Sequence, residues 1–321
     1  MEQRALGRTG LTVSAIGFGC GAVGGLMVKG EPAAQTRAVA RAIEAGVTYF
    51  DTARSYGDGR SEENLGRVLA ELGADVVVGT KFRLEPTDRD VASAIEDSLV
   101  GSLRRLRRDS VHLFQLHNRI GAGDGGLSAD QVLGPVADAL EALRRRGLIG
   151  HYGLTAMGET ADVRRVVESG RFASAQVYFN ALNASAGYPG RVGAGAQDFD
   201  GLIDRAAGAG VGVINIRPLA AGAMTARTDR HPNAGGTGGS MAGTTYDQDL
   251  ERARALADLS GTLGLAGPVE LALRFNLAKP GVSTVLVGLS DQAQLEDAIR
   301  YGERGPLPAD AVERVLSLTR A

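Results

Sequence analysis

Tyr49-Phe-Asp-Thr-Ala-Arg-Ser-Tyr-Gly-Asp-Gly-Arg-Ser-Glu-Glu-Asn-Leu-Gly66 reads as the end of a buried strand, a loop and the start of a helix. Val47, Tyr49 and the apolar residues before them favour a short extended run; Gly57 and Gly59 break it, and Ser61 is placed to cap the next helix. Asp51 therefore sits where a strand stops. A carboxylate there, followed by the Tyr56 phenol on a glycine-containing loop, is poorly explained by packing, because strand ends are normally closed by turn residues. Two later runs end in the same way: Val76-Val-Val-Gly-Thr-Lys81 on a lysine and Val111-His-Leu-Phe-Gln-Leu-His117 on a histidine.

The strand-then-helix unit recurs along the chain. Arg4 to Ser14 predicts a short hairpin around Gly-Arg-Thr-Gly, capping one end of the fold. Ala15–Gly19 is the first buried strand, followed by helical spacing from Thr36 to Ala45. Helices are then expected from Ser61, from Asp88 to about Leu106, from about Asp130 to Arg146, from Thr160, from Phe199 to Ala207 and from Asp291 to Tyr301. The remaining strands are Ile149–Thr155, Ala175–Asn180, Val211–Arg217 and Thr284–Val287. Strand ends at 51, 81, 117, 155, 180 and 217 keep the roughly 30-residue spacing of a strand-helix-strand repeat. Eight such units predict one α/β domain over 1–321, a (β/α)8 TIM barrel with an N-terminal β-hairpin cap. A long glycine-rich loop after strand 7, from His231 to about Thr245, leaves the face where site-bearing loops of this architecture emerge, and is expected to be a lid.

Composition narrows the partners. With 35 Lys+Arg against 37 Asp+Glu the charge is near balance, so nothing attracts nucleic acid or an acidic membrane, and the expected partner is a small molecule. One cysteine excludes an internal disulfide framework. No apolar run approaches the ~20 residues of a membrane span, and no basic-then-apolar secretion pattern opens the chain; a cytoplasmic protein is expected. Oligomeric state is left open. His151 and His231 have no partners at ligand spacing, so no metal is expected.

Side chains alternate along a strand, so His117 shares a face with Gln115 and Leu113, whereas His112 points the other way. The terminal position selects His117. Asp51, Tyr56, Lys81 and His117 all fall at the ends of neighbouring strands and are expected to converge as a catalytic tetrad. Tyrosine has a reference pKa of ~10; an ammonium beside it stabilises the phenolate and eases proton release. Lys81 can provide that ammonium, Asp51 hold it, and His117 orient a substrate oxygen. Taken singly, each has a structural explanation: an ion pair, a loop tyrosine, a core histidine. Four at matching strand ends favour chemistry.

With these residues in view, the chain resembles the aldo-keto reductase family, in its bacterial and potassium-channel-β-subunit-like branch. The resemblance rests on Asp51-Thr-Ala, Tyr56-Gly, Ser61-Glu, Leu65-Gly66 and the Arg4-to-Ser14 hairpin, and extends nearly end to end. It implies a nicotinamide-dependent oxidoreductase interconverting an aldehyde, ketone or sugar carbonyl and its alcohol, with Tyr56 as general acid and base. It also implies Thr155 and Gln176 at the carboxamide, with Ala156 where relatives carry asparagine. Ile216, Arg217, Pro218 and Leu219 stand where aromatic-Ser-Pro-Leu is usual, placing Arg217 at the pyrophosphate. Gly288, Ser290 and Gln294 resemble the adenosine site, with Asp297 in the place of a glutamate and Ala298 in the place of a usual asparagine. NADP is favoured on the resemblance, with NAD the runner-up because Asp291 has the wrong sign for a 2′-phosphate. Substrate candidates are Asn118, Arg119 and Tyr178. The alternative is a cofactor-sensing regulatory subunit with negligible turnover; a Schiff-base lyase or isomerase using Lys81 is a further rival.

Gly19-Cys-Gly-Ala-Val-Gly24 fits G-x-G-x-x-G, yet no helix opens directly after it, so Gly19, Cys20 and Gly21 are expected to line the nicotinamide instead. The arginines at 104–108 and 144–146 suit helix C-termini rather than a polyanion. No nucleophile elbow anchors hydrolase chemistry.

Overall fold

The structure is a computed structural model and describes residues 1–85, 88–123, 125–193, 195–237 and 242–319. Its strands are β1 (Gln3–Ala5), β2 (Thr12–Ser14), β3 (Ile16–Gly19), β4 (Tyr49–Asp51), β5 (Val77–Phe82) and β6 (Val111–Leu116), then β7 (Ile149–Thr155), β8 (Ser174–Tyr178), β9 (Gly212–Ile216) and β10 (Val282–Gly288). Strands β3 to β10 run parallel and close into an eight-stranded barrel, β10 pairing with β3 through Val285–Ile16 to Gly288–Gly19. The β1–β2 hairpin covers the N-terminal end: Leu6 and Val13 pack inside with Tyr49, Leu113 and Ile214.

The helices are α1 (Leu26–Lys29), α2 (Pro32–Glu44), α3 (Arg60–Leu72), α4 (Val91–Leu106), α5 (Ala129–Gln131), α6 (Ala137–Arg145), α7 (Thr160–Glu168) and α8 (Leu202–Gly208), followed by α9 (Tyr246–Thr262), α10 (Pro268–Ala278), α11 (Gln292–Glu303) and α12 (Ala309–Leu318). Alternation divides the strands between two cores. Phe50, Phe18, Phe82 and Phe114 face the helices and stack in pairs, with ring centroids 5.2 Å and 4.7 Å apart. Each such ring contributes roughly 1.5–3 kcal/mol by leaving water. Tyr49, Gln115 and Gln176 point inward.

Four expectations change. Ser61 is not the cap of α3: the N-cap is Gly59, and the Ser61 hydroxyl lies inside, donating to the Cys20 carbonyl at 2.8 Å. α4 begins at Val91, capped by Asp90, whose carboxylate accepts the Ser93 N–H at 3.1 Å. The expected helix from 130 to 146 is interrupted by a wide turn at Val132–Val136, because Pro135 has no N–H to donate and Gly134 leaves helical dihedrals (φ −94, ψ −106). The extra length after β9 carries two further helices, α9 and α10. Among the described residues no helix is long and apolar enough to cross a membrane.

Candidate active site

The C-terminal ends of β4, β5 and β6 bring the four expected residues together. The loop after β4 turns back on itself through three successive left-handed residues, Gly57 (φ 65), Asp58 (φ 55) and Gly59 (φ 89). Two of the three are glycines, for which that region carries no Cβ penalty. The turn aims Tyr56 at the barrel mouth. Lys81 is fully buried and donates to Asp51, to the Thr52 carbonyl at 2.9 Å and to the Tyr56 phenol oxygen at 3.2 Å. Burial alone would lower its pKa, but the Asp51 charge and the Tyr56 oxygen more than offset this, so the ammonium is held above its ordinary value.

His117 follows β6 directly, its backbone N–H donating to the Phe82 carbonyl at 2.8 Å. The imidazole meets the Tyr56 ring edge-on, centroids 5.9 Å apart. Burial, reinforced by the Lys81 and Arg83 charges, pushes its pKa down to about 3, so it is neutral at physiological pH. Gly21 lies on the other side: a Cβ there would come within 3.7 Å of the Tyr56 ring. Cys20 is buried, and burial together with Asp51 pushes its thiol far up, leaving it protonated.

Asp51 has more partners than the sequence suggested. One carboxylate oxygen takes Lys81; the other accepts from Tyr49 (2.8 Å), Gln115 (3.1 Å) and Gln176 (2.7 Å). Neither Tyr49 nor Gln115 is singled out as a site residue by the sequence reading. Strand parity carried the signal, since Tyr49 stands two residues before Asp51 and Gln115 two before His117 on the same inward faces.

The positions expected to hold a cofactor spread around the mouth. Among the described residues the buried Thr155 hydroxyl has no hydrogen-bond partner; it lies next in the ladder to Gln176, while Ala156 is buried and apolar. Gln176, assigned from the sequence to the carboxamide, has its amide nitrogen committed to Asp51. Ile216 and Leu219 are half-buried and Pro218 buried. Arg217 takes a left-handed φ of 59 and donates to the Thr237 carbonyl at 2.7 Å, and burial lowers its pKa. Ser290 donates to the Gly24 carbonyl at 2.6 Å and receives the Gln294 side-chain oxygen on its N–H at 2.9 Å. Asp297 pairs with Arg300, and Asp291 with His231 at 3.3 Å. The glycine-rich segment crosses between the loops after β3 and β10: Gly235 N–H donates to the Ala22 carbonyl at 3.0 Å, and Asn233 to the Ser290 carbonyl at 3.0 Å. Residues 238–241 of that loop lie outside the described residues.

Of the substrate candidates, Asn118 is buried with its amide committed to Leu84 and Gly125, which makes it a clamp between loops. Tyr178 is buried and stacked on Phe199 at 5.4 Å, its pKa pushed up to about 12 chiefly by burial. Arg119 is exposed. Among the described residues no three His, Cys, Asp or Glu side chains gather as a metal site.

The sequence model of the aldo/keto reductase family matches residues 15–320. The chain belongs to that family. Among relatives of this chain, L-galactose dehydrogenase of Arabidopsis thaliana is 30% identical over 308 residues, covering 93% of this chain and 87% of that protein. A probable voltage-gated potassium channel subunit beta of Oryza sativa is 36% identical over 124 residues, covering 36% of this chain and 37% of that protein. The holo structure of the Bacillus halodurans aldo-keto reductase AKR11C1 shares the fold, with a TM-score of 0.75 at 24% identity over 99% of this chain and 96% of that one. The protein is accordingly an NAD(P)-dependent oxidoreductase. The unpartnered Thr155 hydroxyl, buried at the end of β7, fits the amide of a nicotinamide ring.

Proposed function

We propose that the chain is a single catalytic domain, cytoplasmic, that reduces an aldehyde, ketone or sugar carbonyl, or oxidises the alcohol, with Tyr56 exchanging the proton and NADP as the preferred cofactor. The observation that carries this is the Lys81 ammonium, bonded to Asp51 and 3.2 Å from the Tyr56 phenol oxygen. When bound, the nicotinamide supplies or accepts the hydride; Thr155 and Gln176 would hold its carboxamide, Arg217 the pyrophosphate, and Gly288, Ser290, Gln294 and Asp297 the adenosine end.

On the protein side, carbonyl reduction places negative charge on oxygen. Tyr56 donates its proton there, and the ammonium of Lys81 offsets the phenolate left behind. Neutral His117, edge-on to the Tyr56 ring, offers a hydrogen bond without a competing charge, which orients the carbonyl oxygen. Cofactor choice turns on the acids near the adenosine end. Asp297 faces the Arg300 guanidinium, which reduces its repulsion of a 2′-phosphate. The match to L-galactose dehydrogenase over most of both chains supports hydroxylated carbonyls as the first substrates to test.

Steady-state rates on a panel of aldoses, aldehydes and ketones with NADPH and NADH test the reading. Turnover faster with NADPH is expected; faster turnover with NADH overturns the cofactor choice. Binding of cofactor without turnover on any carbonyl would favour the regulatory alternative, to which the local match with a channel β-subunit points. Schiff-base chemistry is disfavoured by the charge that Asp51 keeps on Lys81.

A further inference from the structure

Beneath the tetrad, the barrel axis is occupied by one residue that neither hydride transfer nor cofactor binding employs. Tyr49 is completely buried, and its phenol donates to the inner oxygen of Asp51 at 2.8 Å. The surrounding strands make room for it. Gly17 on β3 and Gly79 on β5 face the same axis. A Cβ at Gly17 would lie 3.0 Å from the Tyr49 ring, and one at Gly79 would lie 2.7 Å from its hydroxyl and 3.3 Å from the Gln115 amide. Two neighbouring strands thus withhold side chains where the ring passes. Gln115 adds a second neutral donor to that oxygen at 3.1 Å. Phenylalanine at 49 would fill the axis equally well, so packing does not account for the hydroxyl.

An ionised carboxylate in a dry barrel is costly unless its lone pairs are satisfied. Here one oxygen is left free to meet Lys81 because the other is saturated from below. We infer that Tyr49 and Gln115 are positioning residues for the reaction, holding the Asp51 carboxylate turned toward Lys81 so that the ammonium stays under Tyr56. The inference rests on Tyr56 being the proton donor. Groups facing Asp51 are Lys81 from β5, Tyr49 from β4, Cys20 from the loop after β3, and Tyr56 through Lys81; β6 and β8 contribute only the neutral Gln115 and Gln176. Burial and the adjacent Asp51 charge hold Tyr49 protonated, so it donates across the working pH range.

The test compares Tyr49→Phe with the wild type by kcat, KM and cofactor titration followed by NADPH fluorescence. Losing one hydrogen bond to a charged group should lower kcat roughly tenfold or more. KM and NADPH affinity should stay within about twofold, so that the loss falls on kcat alone. Gln115→Met removes a different donor to the same oxygen and should lower kcat with the same unchanged KM. In an Asp51→Asn background, Tyr49→Phe should cost nothing further. Unchanged kcat in both single variants, or a full additional loss in the Asp51→Asn background, overturns the inference. Tyr56→Phe, assayed alongside, separates the two readings: if it stays active, the proton-donor assignment has failed; if it is inactive and Tyr49→Phe is indistinguishable from wild type, only the present inference has failed.

Discussion

The Lys81 ammonium lies 4.8 Å from the centroid of the Tyr56 ring as well as 3.2 Å from its oxygen, so it faces both the π surface and the acidic group of the same residue. One buried cation therefore fixes the tyrosine's position and its ability to carry negative charge. Tyr56→Phe keeps the ring contact and removes the acid. Turnover should fall by about 10²- to 10⁴-fold, the usual contribution of a positioned general acid, with cofactor affinity retained in a fluorescence titration. Near-full activity on a competent carbonyl would dismiss the role.

His117 has a folded-state pKa of about 3 against an ordinary 6.5. Between those values the unfolded chain binds a proton that the folded chain does not, so the stability at stake is intact above about pH 6.5 and is lost as pH falls toward 3. By pH 5 the loss from this residue alone should reach about 2 kcal/mol. Thermal melts from pH 7.5 to 5 should show a declining Tm, flattened in His117→Asn. Parallel profiles in the two proteins would contradict the assignment.

Cys20 should resist alkylation. Its thiol is buried and held protonated, and only the thiolate attacks iodoacetamide. Mass spectrometry after treatment at pH 7.5 should find no adduct on native protein and full labelling after denaturation; rapid native labelling would count against the picture.

Removing the Asp291 charge should raise the NADPH-over-NADH preference. Asp291 caps α11, its carboxylate accepting the Gln294 N–H at 2.8 Å. Asn retains a capping oxygen, so Asp291→Asn isolates the charge. A several-fold shift in the ratio of kcat/KM values toward NADPH is expected; no shift would place the 2′-position elsewhere.

Gly79→Ala should destabilise by about 1–3 kcal/mol, the usual cost of overpacking, since its Cβ would sit 2.7 Å from the Tyr49 hydroxyl. Tyr49→Phe removes that atom and should recover most of the loss in the double variant. Urea midpoints of the four proteins complete the cycle, and simple additivity would show that the two positions do not meet.

Much of the barrel and its mouth is legible in the amino-acid sequence. Strand ends at Asp51, Lys81 and His117 can be read from glycine stops and apolar runs, and their common placement implies convergence, because parallel strands in a barrel deliver their C-terminal ends to one face. The less legible parts have identifiable physical causes. Ser61 has the chemistry of a cap, but the αL glycine before the helix frees its hydroxyl to tie two loops together. Asn118 looks like a site residue beside His117, yet its amide is used entirely on backbone. Gln176 cannot be assigned from one strand, because its partner Asp51 is far away in sequence and near only once the barrel closes.

The small residues that accommodate Tyr49 also restrict what this lineage can become. While tyrosine stands at 49, a side chain at 79 meets its hydroxyl, so an otherwise mild drift from glycine to alanine carries a packing cost. Phenylalanine at 49 would relieve that contact, but the step gives up a donor to Asp51. The two positions are therefore linked, and a library varying positions 17, 49 and 79 together samples the linked changes in one step.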